Sequence, residues 1–282
     1  MKIGFNLLLW TGHVTHEHRG LLRDIKKAGY DGVEVPVFEG NPDHYARLGD
    51  MLDEIGLART VVAIMPSLDK DPLSGDAAVR KAAVDHAKWI IDCSAGLGAP
   101  IIAGPVHSVI GHFTGSGPTV AERKRGIAFH RKAGDYAQRK NVRFAVEALN
   151  RFECYFLTTM QQLADHLDEV DHPAVQGMYD TFHANIEEAD PIKAIKTIRP
   201  HMLHVHISEN DRGTPGKGHV DWPRTYKALN ASKYDGWLTI EAFGRALPAL
   251  AAATRVWRDF FPSPESVYRD GIKAIRKGWT AR

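Results

Sequence analysis

The chain has 282 residues, 44% of them hydrophobic and 25% charged, and its 36 basic and 34 acidic residues give a formal net charge of +2. This near balance argues against nucleic acid or a membrane surface as a partner, and no run of about 20 apolar residues is present to cross a bilayer. The two cysteines, Cys93 and Cys154, make neither a disulfide framework nor a thiolate metal cluster, and the amino terminus enters a strand-like run directly, so we expect a cytoplasmic protein.

Short apolar runs alternate with longer helical patterns along the whole chain. The predicted strands are, in chain order, KIGFNLLL, GVEVPVF, ARTVVAI, PIIAGP, VRFAVEAL, AVQGMYD, MLHVHIS and GWLTIEAF. The predicted helices are HEHRGLLRDIKKAG, DHYARLGDMLDEIG, AAVRKAAVDHAKWIIDCSAGLG, AERKRGIAFHRKAGDYAQRKN, TTMQQLADHLDEV, DPIKAIKTIR, WPRTYKALN and ALPALAAATRVWRDFF. Several of them end in Gly or Asn, which is typical of helix C-termini.

Eight βα units favour parallel strands, because each crossover helix returns the chain to the same end of the sheet. A doubly wound open sheet usually carries a G-x-G-x-x-G turn after its first strand, whereas this chain has LLLWTGHVTH there. The pattern therefore predicts an α/β fold in which residues 1–282 form a single (β/α)₈ TIM barrel. The tail SPESVYRDGIKAIRKGW predicts an additional C-terminal helix.

Four consecutive predicted strands place a metal-competent side chain at or near their carboxyl ends, where the active sites of such barrels lie. These side chains are Glu147, Asp180, His206 and Glu241, and Glu34 in the second strand is a less clear fifth. Taken singly, an acid at a strand end is often a helix N-cap or a solvated loop residue. Four at one level would repel one another unless a cation lay between them. Three carboxylates and one imidazole suit Mn²⁺ or Mg²⁺, with Co²⁺ as a further option, and suit a structural zinc site poorly.

The loops after the fifth, sixth and seventh strands add Glu153, His183 and Arg212. An acid, an imidazole and a guanidinium beside a metal can orient a polyhydroxylated or carbonyl substrate, although each alone could be a surface loop residue. Three aromatic residues near strand ends are candidates for an apolar wall, namely Phe5, Trp10 and Phe243. Core packing explains Phe5 equally well.

Two further histidines flank the seventh strand. His204 lies two residues before His206, so both face the same side of the strand, and we expect His204 one layer deeper in the barrel as a supporting group. We expect His219 to brace the mouth of the barrel from a loop, with Asp221 as the N-cap of WPRTYKALN.

The segments FAVEALNRFE, YDTFHANIEE, HVHISENDRGTPGKGHVDW and LTIEAF together resemble the xylose-isomerase-like sugar isomerase and epimerase superfamily. Within it the chain is most similar to the ketose 3-epimerases that act on D-tagatose, D-allulose or L-ribulose, and the resemblance covers nearly the whole chain. GKGHVDW alone would indicate only the broader superfamily. The loops IMPSLDKD and GPVHSVIGHFTG look more individual, which leaves the length of the sugar and its C4 to C6 hydroxyls open.

The resemblance implies roles for seven residues. It implies a metal site for Mn²⁺, with Co²⁺ or Mg²⁺ as alternatives, formed by Glu147, Asp180, His206 and Glu241. It implies that Glu147 and Glu241 are also the catalytic acid/base pair. It implies that the sugar's O1, O2 and O3 are held by Glu153, His183 and Arg212. It further implies a small ketose as substrate and a homodimer or homotetramer as the assembly.

Inversion at C3 of a ketose needs two acid/base groups on opposite faces of a planar enediolate, and the fifth and eighth strands can supply them. A cation beside the C2 carbonyl would stabilise the charge that develops on its oxygen. Three alternatives stay open. Hydroxypyruvate isomerases and inosose dehydratases are expected to share the acids but to lack the combined pattern of Glu153, His183 and Arg212. A three-zinc abasic-site endonuclease would need further histidines after the third and fourth strands; the third strand ends AIMPS without one, although His107 follows the fourth. The third is an inactive sugar-binding barrel.

Overall fold

The computed structural model describes residues 1–280. Its eight strands are all parallel and hydrogen-bond in chain order, and β1 pairs with β8 as well as β2, so the sheet closes into a barrel. The strands are β1 Lys2–Asn6, β2 Gly32–Pro36, β3 Ala58–Val62, β4 Ile101–Gly104, β5 Arg143–Val146, β6 Val175–Asp180, β7 Met202–Ile207 and β8 Trp237–Ile240. The predicted TIM barrel and its eight strands are thereby confirmed.

Residues 1–280 also contain ten α-helices. They are α1 Arg19–Ala28, α2 Pro42–Ile55, α3 Ala77–Leu97, α4 Val120–Arg139, α5 Met160–Val170, α6 Thr181–Glu187, α7 Pro191–Ile198, α8 Trp222–Ala231, α9 Pro248–Thr254 and α10 Pro264–Thr280. The first three end at glycines in the left-handed conformation, Gly29, Gly56 and Gly98, whose amides bond to carbonyls of the last turn. The absence of a side chain at these positions lets the chain reverse cheaply into the next strand.

Helices α6 and α9 differ from the sequence prediction. Residues 181–187 were expected to be a loop, but they are helical because Asp180 caps their first turn by accepting the amides of Phe182 and His183. The helix predicted over 246–261 ends at Thr254, where Arg255 adopts a left-handed φ of 60°. Val256 then packs into a buried apolar cluster with Leu8. Burying this side chain stabilises the segment more than a further helical turn would.

The predicted C-terminal helix is present as α10, and it packs against both α1 and α8 in the outer ring. Tyr30 at the end of α1 donates its hydroxyl to the carbonyl of Tyr268, and Arg276 donates to the carbonyl of Gly29. These contacts fasten α10 to the turn that follows α1. The prediction of one domain over 1–282 extends to residues 281–282, which lie outside the described residues, and it stays a prediction. None of the helices described is long and apolar enough to span a membrane.

Candidate functional site

The four residues predicted to hold a metal meet at the carboxyl end of the barrel. Glu147 and Glu241 directly follow β5 and β8, Asp180 ends β6, and His206 lies in β7 opposite Asp180 in the sheet register. All four are buried, and each offers one ligand atom that lies within 4.8 Å of the other three. The structure therefore brings the predicted set into one cluster, whose role as a metal site stays a prediction.

The imidazole of His206 has two different surroundings. Its Nε2 lies 2.7 Å from Glu34 Oε1, whereas its Nδ1 faces the cluster at 3.5 Å from Asp180 Oδ2 and from Glu241 Oε1 and at 3.8 Å from Glu147 Oε1. Nδ1 is buried and has no hydrogen-bond partner among the described residues. A neutral imidazole that donates to Glu34 points the lone pair of Nδ1 at three carboxylates, an arrangement that a cation between them would stabilise.

The donor set fits a divalent ion of the Mn²⁺ or Mg²⁺ type. Separations of 3.5–3.8 Å between His206 Nδ1 and the carboxylate oxygens match the spacing of ligand atoms around an ion with bonds of about 2.0–2.3 Å. Oxygen atoms dominate the set, which favours hard cations. Glu147, Asp180, His206 and Glu241 are thus able to hold such an ion.

Asp180 uses its two oxygens for different purposes. Oδ1 accepts the amides that begin α6, while Oδ2 accepts from the Ser208 hydroxyl at 3.0 Å and faces His206. Burial opposes ionisation of Asp180, but the close contact with the His206 ring and the charges of His183 and Arg212 hold its pKa well below the ordinary range. The N-cap interpretation of this aspartate therefore holds, and the cap also fixes the carboxylate whose other oxygen faces the cluster.

The two glutamates of the cluster differ in their bonding. Glu241 accepts from Arg212 Nη1 at 2.6 Å and from Asn6 Nδ2 at 2.9 Å. Glu147 Oε1 lies 3.6 Å from His183 Nε2 and 3.8 Å from His206 Nδ1, beyond hydrogen-bond range. Burial raises the pKa of Glu147 well above its ordinary value, and the charge of the neighbouring Glu241 raises it further. One carboxylate thus accepts hydrogen bonds from two donors, whereas the other has no donor within hydrogen-bond range.

The three predicted substrate-binding residues line the same cavity, which has a volume of about 250 Å³. Glu153 is held by Asn150 Nδ2 at 2.8 Å, and burial raises its pKa. Arg212 lies between the faces of Phe182 and Phe243, with its guanidinium carbon 3.8 and 4.7 Å from the ring centroids. This stacking fixes the plane of the guanidinium and aims it into the cavity.

The backbone also directs Arg212. Its φ of 63° is unusual for a residue with a side chain, and two backbone bonds stabilise it, from the amide of Arg212 to the carbonyl of Glu209 and from the amide of Phe243 to the carbonyl of Arg212. The bond from the Phe243 amide to the Arg212 carbonyl ties the loop after β7 to the residues after β8. Arg212 therefore reaches Glu241 from a fixed direction.

His183 is a neutral donor toward the cavity. Burial lowers the pKa of His183 to about 3. Its Nδ1 accepts from the backbone amide of Asn150 at 3.0 Å, which leaves the ring proton on Nε2. Arg212 Nη2 lies 3.0 Å from that Nε2, so two N–H groups converge with no acceptor between them. An oxygen atom of a ligand placed beside both groups would satisfy them together.

Apolar side chains form most of the remaining cavity wall. Met65 and Pro66 come from the loop after β3, and Pro105, Val109 and Ile110 come from the loop after β4. These are the two segments expected to face the far end of a sugar. Phe243 lines the cavity as predicted, whereas Phe5 and Trp10 pack against Tyr268 of α10.

A buried network beneath the cluster was only partly visible in the sequence. Glu34 accepts hydrogen bonds from His206, Asn6 and Thr60, and His204 Nε2 lies 3.0 Å from its Oε2 at an angle unfavourable for a hydrogen bond. His204 thus lies one layer below the cluster, as expected. Asn6 and Thr60 were missed, because a lone polar residue in an apolar strand gives no sign of its partners.

The loop between β7 and α8 folds around one carboxylate that no sequence pattern had singled out. Buried Glu209 accepts the amides of Asn210, Gly216 and Val220 and the indole N–H of Trp222. The backbone of His219 bonds to the Asn210 side chain at 2.7 Å, while its exposed ring lies 3.4 Å from the Asn185 amide. Asp221 caps α8 by accepting the amide of Arg224, as predicted.

Residues 22–278 match the family model described as xylose isomerase-like TIM barrel. The chain is 30% identical to a protein named probable ketose 3-epimerase from Synechocystis sp., over 98% of this chain and 96% of that protein. It is 31% identical to a protein named ketose 3-epimerase from Arthrobacter globiformis, over 100% of this chain and 98% of the relative. A solved structure described as L-ribulose 3-epimerase superposes with a TM-score of 0.93 at 26% identity, covering 99% of this chain and 94% of that one.

Proposed function

The chain belongs to the xylose isomerase-like TIM barrel family and groups within it with the ketose 3-epimerases, and we propose that it is a metal-dependent isomerase that inverts C3 of free ketoses. The observation that carries this proposal is the pair of differently bonded glutamates, Glu147 and Glu241, at one buried cluster that opens into a cavity of sugar size. Ketohexoses and ketopentoses such as allulose, fructose, tagatose and ribulose are the proposed substrates.

Inversion requires one group that takes the C3 proton and another that supplies a proton on the opposite face. Glu241, which accepts hydrogen bonds from Arg212 and Asn6, is proposed as the base. Glu147, which has no donor within hydrogen-bond range, is proposed as the acid. The two roles exchange when the other epimer is bound, because each epimer presents its C3 hydrogen to the opposite carboxylate.

A divalent cation, proposed to be Mn²⁺ with Co²⁺ or Mg²⁺ as alternatives, would be held by the four cluster residues and would supply electrostatic stabilisation of charge on the substrate's carbonyl oxygen. The protein's own donors act at the same place. His183 Nε2–H and Arg212 converge on one point of the cavity, where they would bind sugar oxygens and stabilise enediolate charge. Glu153 would bind a hydroxyl at the end of the sugar nearest C1.

Proton exchange at C3 tests the proposal directly. The protein is chelated, reconstituted with Mn²⁺ and incubated in D₂O with fructose, allulose, tagatose, sorbose, ribulose and xylulose, each in both enantiomers. NMR then follows deuterium at C3 and the appearance of the C3 epimer. We expect both with at least one ketose, and failure of deuterium to enter C3 of any of them would refute the epimerase proposal.

The same preparation separates the rival activities of the fold. Conversion of hydroxypyruvate or dehydration of an inosose, without turnover of any ketose, would assign the chain to those enzymes instead. The three-zinc endonuclease is disfavoured because the two candidate metal groups in residues 1–280 share His206, which leaves too few separate ligands for three ions. Assembly as a homodimer or homotetramer and a cytoplasmic location remain predictions, the first of which light scattering tests.

A further inference from the structure

Glu34 lies at the centre of the barrel, beneath the cluster. It belongs to β2, in register with Asn6 of β1 and Thr60 of β3, and its side chain is fully buried. A buried carboxylate is costly unless donors surround it, so its presence in an otherwise apolar strand calls for a specific reason.

The contacts of Glu34 connect it to two members of the cluster. Its Oε1 accepts from His206 Nε2 at 2.7 Å and from Asn6 Nδ2 at 3.1 Å, and the same Asn6 amide group donates to Glu241 Oε1 at 2.9 Å. Its Oε2 accepts from the Thr60 hydroxyl at 2.9 Å, which fixes the carboxylate from the other side. One carboxylate thereby sets the position of His206 directly and that of Glu241 through Asn6.

We propose that Glu34 is a positioning residue that prepares His206 and Glu241 to bind the cation. A proton held on Nε2 by Glu34 leaves Nδ1, the atom that faces Asp180 and Glu241, as the free electron pair. The charge of Glu34 makes that nitrogen more basic and so a stronger ligand. Asn6 turns one oxygen of Glu241 toward the cluster while Arg212 holds the other.

A second ion held by Glu34, His204 and His206 is the competing interpretation, because these three also lie close enough to share one. The 2.7 Å contact between His206 Nε2 and Glu34 Oε1 is aligned as a hydrogen bond, which an ion between those atoms would have to break. His206 would also have to bind two ions through one ring. The number of ions bound per chain therefore separates the two interpretations.

The test measures metal binding, so it is independent of turnover although it rests on the proposed metal site. Chelated full-length protein is titrated with Mn²⁺ by calorimetry and with Co²⁺ by visible absorption. We expect one ion per wild-type chain, and a 10- to 100-fold weaker Kd with an altered Co²⁺ spectrum for Glu34→Gln. The matched control is Glu39→Gln, the same substitution at an exposed glutamate shortly after β2, which should keep the wild-type Kd.

Three outcomes would overturn the proposal: a wild-type Kd and Co²⁺ spectrum in Glu34→Gln, two ions per wild-type chain, or a loss confined to the melting temperature of the metal-free protein. If Glu34→Gln does not fold, Glu34→Asp, which withdraws the carboxylate by one methylene, is judged by the same Kd and spectrum. Tight metal binding by the wild type without turnover of any ketose would refute the proposed function and leave the role of Glu34 standing.

Discussion

Three buried histidines predict that the protein loses stability below neutral pH. His130 Nδ1 lies 2.9 Å from His166 Nε2, and the rings of His107 and His166 both pack against Phe156. Burial lowers the pKa of His107 to about 3 and that of His166 to about 4, and it holds the pKa of His130 well below the ordinary value. The charge of Arg123 acts on His166 in the same direction.

The magnitude follows from proton linkage. In the unfolded chain each ring titrates near pH 6.5, whereas in the folded protein the pKa of His166 is about 4 and that of His107 about 3. The unfolded state therefore binds more protons between these values, and the free energy of unfolding falls as the pH falls through this window. His107 and His166 each cost about 2 kcal/mol at pH 5 relative to pH 7.5, together about 4 kcal/mol, and His130 acts in the same direction; this is a large share of an ordinary domain's stability.

Urea unfolding of the chelated protein at pH 7.5 and pH 5 measures this loss. We expect His166→Gln to show a pH-dependent loss about 2 kcal/mol smaller than the wild type, because one titrating ring is gone. Any hydrogen bond lost by the substitution is common to both pH values and cancels in the comparison. Exposed His16→Gln is the control and should leave the pH dependence unchanged. An unchanged pH dependence in His166→Gln would refute the reasoning.

Three further predictions concern the cavity. Glu147→Gln and Glu241→Gln should each abolish epimerisation while calorimetry still detects some ketose binding, and near-normal turnover in either would remove that residue from the mechanism. Arg212→Lys should lower kcat/KM about 10- to 100-fold, because a lysine ammonium cannot bond to Glu241 and to a sugar oxygen at once as the planar guanidinium can. An unchanged kcat/KM would exclude a substrate-binding role for Arg212. A 6-deoxy ketose should keep kcat/KM within about tenfold of its parent, because apolar residues such as Met65 and Pro105 line the far end of the cavity; a loss near 10⁴-fold would reveal a hydrogen bond there.

The barrel and its cluster could be predicted because both follow from rules that act along the chain. Alternating strands and helices require parallel pairing, and parallel strands place their carboxyl ends at one rim. Glu147, Asp180, His206 and Glu241 each fall at or next to such an end, so their convergence needed only the strand boundaries. The resemblance to the ketose 3-epimerases sharpened the expected chemistry, and the comparisons support the family.

The features that the sequence did not predict depend on contacts between distant segments. Thr60 reads as an ordinary β-branched strand residue, and only the register of β1, β2 and β3 aligns it with Glu34 and Asn6. The direction of Arg212 depends on a positive φ that a non-glycine residue rarely adopts and that bonds to Glu209 and Phe243 impose. The early end of α9 likewise follows from tertiary burial and not from local helix propensity.

Charge balance explains why the residues of the cluster act together. Asp180, Glu147 and Glu241 carry up to three negative charges in a buried space, and Arg212 supplies one positive charge. Because Glu34 is held by donors of its own and His183 stays neutral, a divalent cation is the addition that brings the cluster to zero charge. A monovalent ion would leave one charge uncompensated in a buried site, at considerable cost. Burial first, and the charge of Glu241 next, raise the pKa of Glu147, so without the ion a proton on Glu147 would lower the negative charge of the cluster.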